Sequence, residues 1–128
     1  MRETRTIALT DSEQELMQIL WRLGKAFIGD IMAEMPHPAP RQTAVAARLR
    51  ILESKGAAAH EVFGKSLRYY PLLQRDRHIR GLICGIASQY FDSSFTDMVR
   101  FVASSGDISA DEAAAAAEVL DRAQQLRG

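Results

Sequence analysis

A chain of 128 residues is the length of one small domain, or of one small domain carrying an oligomerisation element. Its 47% hydrophobic and 25% charged residues describe an ordinary globular protein rather than a disordered, fibrous or membrane-embedded one, and the single Cys84 leaves no internal disulfide or cysteine-rich metal site to build. The formal net charge of zero hides an asymmetry, because residues 1–80 carry 13 Lys and Arg against 9 Asp and Glu, residues 81–128 carry 3 against 7, and residues 41–80 alone carry 9 against 3. That central excess is the local positive field expected where phosphates are met.

The first residues, MRETRT, are polar rather than signal-like, and no apolar run reaches the about 18 residues a spanning helix needs. A cytoplasmic location without membrane contact is therefore expected. Thr10-Asp11-Ser12-Glu13 is a capping-box pattern that should open a first helix. Leu16, Met17, Leu20 and Leu23 would form its buried stripe, with Trp21 beside it and Gly24 ending it. A second, shorter helix is expected over Phe27–Met35, with Phe27, Ile28, Ile31, Met32 and Met35 at helical spacing and Asp30 in an early turn. The prolines of Pro36-His37-Pro38-Ala39-Pro40 cannot continue it.

The stretch that follows, from Arg41 to Lys55, carries the most information. Val45, Leu49 and Leu52 fall at i, i+4 and i+7, one narrow apolar stripe of a third helix that Gly56 would close. At about 100° per residue the stripe turns Thr43, Ala46, Ala47, Arg50 and Ser54 outward. A face of small side chains, hydroxyls and one guanidinium lets a helix backbone approach base edges and phosphates closely. Two extended runs, AAAHEVF and SLRYYPLL, then flank Gly64-Lys65, a tight-turn candidate, with one of Tyr69 and Tyr70 facing in and the other out. Three helices followed by a hairpin make a winged helix-turn-helix, mostly α with a small β-hairpin wing. Its third helix is exposed for recognition, and Lys65 and Arg68 lie within reach of a phosphate backbone.

After Leu73 a long helical region is expected from Asp76 to about Ser104, with Ile79, Leu82, Ile83, Ile86, Tyr90, Phe95, Met98 and Val102 apolar. Gly106 breaks it, and Ser109-Ala110-Asp111-Glu112 opens a last helix with Ala113, Ala116, Leu120 and Ala123 on one side. Helices this apolar, outside the small core, most simply bury their stripes against a second copy, so a homodimer is expected. The alternative is that they fold back on their own domain. The division expected is a winged-helix DNA-binding domain over 1–74 and a helical dimerisation region over 75–128.

The segments LTDSEQELMQILWRLGKAFIGDIMAEM, TAVAARLRILESKG, GKSLRYYP and SFTDMVRFVASSGDISADE, in this order and spacing, resemble the penicillinase repressor family (BlaI, MecI and CopY types) essentially end to end. The resemblance implies a dimeric winged-helix repressor on an inverted-repeat operator. It puts Thr43 and its neighbours on the recognition helix, Gly64, Lys65 and Arg68 on the wing, and the residues after Arg75 in the dimerisation helices. Three departures stand out. Gln14 follows Glu13 where the family usually has tryptophan, although Trp21 is kept. The recognition helix has Thr43-Ala44, Ala47 and Ile51 where threonines and an arginine are common, so operator preference should differ, with Arg48 or Arg50 expected in the donor roles. The family's asparagine-phenylalanine cleavage bond aligns with Phe101-Val102, and the closing RAQQLRG has no paired cysteines. Neither cleavage at that bond nor metal sensing of the copper-responsive type is expected.

Catalysis is not expected: Cys84 and His78, six residues apart on a helix, point to different faces, and Cys84 reads as a small buried hydrophobe. His37, His60 and His78 lack metal-ligand spacing, and no cofactor or metal is expected. The resulting expectation is a dimeric repressor binding a double-stranded DNA operator. Thr43, Ala46, Ala47 and Arg50 would meet base edges, and Arg41, Arg48, Lys55, Lys65 and Arg68 would hold the backbone. Ile79, Leu82, Ile83, Ile86, Tyr90, Phe95, Met98, Val102 and Leu120 would form the dimer interface. A winged-helix protein interaction module without sequence-specific DNA binding is the alternative.

Overall fold

The computed structural model describes residues 7–127. Its order is α1 (Asp11–Leu23), β1 (Ala26–Phe27), α2 (Ile28–Ala33), α3 (Gln42–Ser54), β2 (Ala58–Phe63), β3 (Ser66–Pro71), α4 (Arg75–Tyr90), α5 (Phe95–Ser105) and α6 (Ala110–Arg127). Helices and a hairpin in this order are a winged helix, followed by three further helices. The chain divides into two compact units that part at Leu82 and Ile83, inside α4.

In the first unit, α1 starts where the capping box requires. The Glu13 amide donates to the Thr10 hydroxyl at 3.2 Å, and the Thr10 amide donates back to the Glu13 carboxylate at 3.0 Å. Leu16, Met17 and Leu20 are fully buried against Val45, Leu49 and Leu52 of α3, Ile31 of α2, and Tyr69 and Ala58 of the sheet. Leu23, expected inside, is 37% exposed, and Ile19 takes its place, because α1 turns its last residue away from the core. The second helix is shorter than expected. Phe27 pairs with the sheet instead, its amide held by the Asp30 carboxylate at 3.1 Å, and Met35 is buried beyond the helix end.

The two residues of β1 complete a three-stranded antiparallel sheet in the order β1-β3-β2, with Ala26 opposite Tyr69. Val62 faces Leu67 and Phe63 faces Ser66 across the two-residue turn Gly64-Lys65. Gly64 has φ +66°, and a two-residue hairpin turn needs positive φ at its first central residue, where glycine is unstrained. Tyr69 points into the core, while Tyr70 is half-buried with the Lys25 ammonium 5.4 Å from its ring centroid.

Two side-chain ties fasten this unit. The Trp21 indole donates to the Leu73 carbonyl at 2.8 Å, and His78 packs against the same ring, 4% exposed, its two ring nitrogens without hydrogen-bond partners among the described residues. Lys55 donates to the Glu13 carboxylate at 2.6 Å and to the Ala8 carbonyl at 2.9 Å, joining the end of α3 to the start of α1. The Lys55 hydrogen bond, with that from the Thr10 amide, holds the Glu13 carboxyl below the usual glutamate range. Replacing Glu13 by alanine removes both the reciprocal cap and this tie, an expected loss of about 2 kcal/mol in urea unfolding. Because the folded-state pKa is depressed, this stabilisation is complete above the ordinary glutamate range and is lost as the pH falls through the depressed value. The stability gap between wild type and Glu13→Ala should therefore close in acid; a gap independent of pH would contradict the ion pair.

The second unit differs from expectation at one point. The helical region does not run unbroken to Ser104, because Asp92 and Ser93 adopt positive φ of 49° and 62° between α4 and α5. The Ser93 amide donates to the Ala87 carbonyl at 2.8 Å, and the Ser94 hydroxyl caps α5 by accepting from the Asp97 amide at 3.0 Å. Short polar residues favour such a break, since their side chains compete for backbone groups. Gly106, at φ +80°, ends α5 in the left-handed region, and Ser109 caps α6 by accepting from the Glu112 amide at 3.1 Å. Cys84 is exposed, not buried, because α4 carries it outside any core.

Candidate nucleic-acid interface

Burial of Val45, Leu49 and Leu52 fixes the rotation of α3, leaving Gln42, Thr43, Ala47, Arg50 and Ser54 exposed and Ala46 half-buried. The exposed face is short-chained for a turn and a half and then carries the Arg50 guanidinium. Ser54 turns its hydroxyl back onto the Ile51 carbonyl at 2.7 Å, so it offers little outward. Ala46, half-buried, lines a concavity of about 400 Å³ between α3, the start of α2 and the hairpin, with Gln42, Gly29, Lys65, Ser66 and Leu67. The first turn of α3 and the tip of the hairpin thus flank one groove.

Charge around this groove separates into paired and unpaired groups. Among the described residues, Arg41, Arg48, Arg50 and Lys65 have no carboxylate partner, a state shared by Arg77 and Arg80 of α4. Lys55 donates to the Glu13 carboxylate and the Ala8 carbonyl, two oxygen partners at the far end of α3. Arg68 is likewise engaged, donating through Nε to the Glu61 carboxylate at 2.8 Å and through a second nitrogen to the same oxygen, and lying 4.6 Å over the Phe63 ring. Arg68 in turn lowers the pKa of Glu61, with Lys25 assisting. The Arg68 guanidinium therefore stiffens the wing, and the unpaired cation at its tip is Lys65.

Arg50 lies close enough to Tyr69 for its charge to act on the phenol. Burial, with Glu53 nearby, raises the Tyr69 hydroxyl above the ordinary tyrosine range, and Arg50 opposes that shift. Glu53 is itself paired with His60 of β2, which ties the end of α3 to the hairpin. Gln42, which lines the groove, lies outside the face read from the sequence because a period of about 100° puts it about 20° from Leu49, and Glu61 escapes that reading because its pairing depends on a cross-strand register invisible to periodicity.

The model of a protein family described as penicillinase repressor matches residues 9–122. The chain belongs to that family. Penicillinase repressors are transcriptional regulators, not enzymes, and the match spans both compact units. No curated protein matches the chain. Among the described residues no helix is long and apolar enough to cross a membrane, and no cluster of three or more His, Cys, Asp or Glu is arranged to hold a metal.

In this family member the apolar residues of the last three helices are open to solvent within one chain. On α4, Leu82, Ile83, Ile86 and Tyr90 are exposed and Ile79 half-buried; on α5, Phe95 and Val102 are exposed and Met98 half-buried; Leu120 of α6 is exposed. Val99, Phe101, Val119 and Leu126, which the sequence pattern passed over, are exposed too. Among the described residues of the second unit only Ala87 is buried.

Proposed function

We propose that this chain is a cytoplasmic, dimeric DNA-binding repressor that recognises an inverted-repeat operator through its winged helix. Residues 1–74 supply the DNA-binding part and residues 75–128 the dimerisation region. The observation that carries the reading is the solvent face of α3, short side chains followed by Arg50, flanked by the only groove-lining cation without a partner among the described residues, Lys65. In this arrangement Thr43, Ala46, Ala47 and Arg50 meet base edges in the major groove. Arg41, Arg48 and Lys65 hold phosphates, with Arg68 bracing the wing.

The exposed apolar stripes of the second unit support a dimer. Apolar side chains left exposed along three successive helices are costly in water and mark an interaction site. Self-association through Ile79, Leu82, Ile83, Ile86, Tyr90, Phe95, Met98, Val102 and Leu120 gives a twofold assembly, and twofold symmetry in the protein demands a palindrome in the DNA. Two recognition helices then enter successive major grooves about 34–36 Å apart.

Selection from a pool of randomised duplexes at two salt concentrations tests the reading. A palindromic site with a steep salt slope is the expected result; weak binding with nothing enriched would instead favour a winged-helix protein interaction module. Lys65→Ala should weaken binding to every sequence alike and reduce the salt slope by about one, since one phosphate contact is lost. A change in base preference at unaltered salt slope would remove Lys65 from the phosphate backbone.

A further inference from the structure

We propose that Gln42 is a specificity-determining residue of this chain and that the base it reads is adenine. The inference rests on the DNA-binding reading and adds to it a residue and a base identity. Gln42 is the first residue of α3 and is exposed, and the N-terminal residues of a recognition helix are those that reach base edges. Among the described residues its amide makes no side-chain hydrogen bond, unlike Ser54 at the other end of the helix, so both ends of the amide remain available.

Its neighbours favour a base edge over a phosphate. Gln42 shares the groove between α3 and the hairpin with Lys65 and Ser66, and a lysine anchored on a phosphate from the hairpin side sets the register of the first helical turn against the bases. One turn along, Ala46 lines the same groove and adds no bulk to hold the helix off the DNA. Gln42 is also the sole side-chain amide among the exposed residues of α3, a planar donor beside an acceptor.

The chemistry of the major groove then selects the base. Adenine presents an acceptor, N7, next to a donor, the N6 amino group, and an amide matches both: Nε2 donates to N7 while Oε1 accepts from N6. Guanine presents two acceptors, O6 and N7, which leaves Oε1 facing an oxygen. A guanidinium is the partner for that edge, and Arg50, two turns further on, is the group on this face that has one. The Ala46 methyl has the size and polarity to lie against the methyl group of a thymine in the same region.

The test uses the full chain and its Gln42→Ala and Gln42→Glu variants, each carried through selection on randomised duplexes, with thermal unfolding as a check of fold. Wild type should enrich an A·T pair at one symmetry-related position of each half-site. Gln42→Ala should lose that preference by about 5- to 150-fold, keep the preferences elsewhere and keep the salt slope. Gln42→Glu, which can only accept, should shift the same position towards cytosine, whose N4 amino group donates. Replacing the selected adenine by 7-deazaadenine should cost wild type affinity and leave Gln42→Ala indifferent. Identical preferences in wild type and both variants would overturn the assignment while leaving the repressor reading intact. Absence of any selected site for wild type would overturn the repressor reading and this assignment together.

Discussion

An Ile86→Glu chain is expected to be monomeric at concentrations where wild type is a dimer, and to bind operator at least about 100-fold more weakly, because each half then binds without the effective concentration that its partner supplies. Ile86 is 46% exposed on α4, between Ile83 and Tyr90, on the stripe that the account buries in the dimer. A twofold axis brings the substitution in twice, so two carboxylates enter an apolar interface. Desolvating unpaired charge costs several kcal/mol, more than the burial of a few aliphatic side chains returns. The first unit should be untouched, since Ile86 lies outside it, and its folding can be followed through Trp21. Sedimentation showing an unaltered dimer would mean that the interface is formed elsewhere.

Arg50→Ala carries the second large effect. Arg50 stands at the middle of the exposed face of α3 with no carboxylate partner among the described residues, free to present its planar fork to a guanine O6/N7 edge. Its removal should lower operator affinity by about 5- to 150-fold and relax preference at one position of each half-site. Arg50→Lys should restore charge and salt slope without restoring that preference, since an ammonium lacks the bidentate geometry. Full recovery by lysine would make Arg50 a phosphate ligand. The fold should survive both changes, because the neighbours that hold α3 in place, Val45, Leu49 and Leu52, are wholly buried.

The winged helix was legible because its signals are local. The Thr10 capping box, the Val45-Leu49-Leu52 stripe and the Gly64-Lys65 turn each act over a few residues, and each stands where it was read. What escaped depends on distant partners or on competition between local rules. Two residues of β1 are too few to show a period of two, and only pairing with Tyr69 and Arg68 makes Ala26–Phe27 a strand. The apolar spacing of Phe27–Met35 suits a longer helix than forms, because pairing with β3 takes Phe27. Asp92 and Ser93 interrupt an otherwise helical run whose apolar period continues on both sides, so periodicity alone joins what turn chemistry separates.

The exposed face of α3 was legible for the same reason. Rotation of α3 follows from its stripe, so Thr43, Ala47 and Arg50 come out where a 3.6-residue period puts them. The fate of individual cations does not follow from position. Lys55 meets Glu13 across 42 residues of chain and Arg68 meets Glu61 across the hairpin, and both pairings need the assembled fold. Counting basic residues between 41 and 80 therefore overstates the charge left for phosphate, and the unpaired set of Arg41, Arg48, Arg50 and Lys65 is the better guide to it.

Stoichiometry on DNA separates a twofold repressor from a chain that binds singly. With the selected duplex and a second duplex containing one half-site beside scrambled sequence, sedimentation would count the chains bound to each while salt is varied. A twofold repressor puts two chains on the palindrome, with affinity far above that for the half-site and a steep decline with salt that is reduced on the half-site. One chain per duplex, with the half-site bound as tightly as the palindrome, would contradict it.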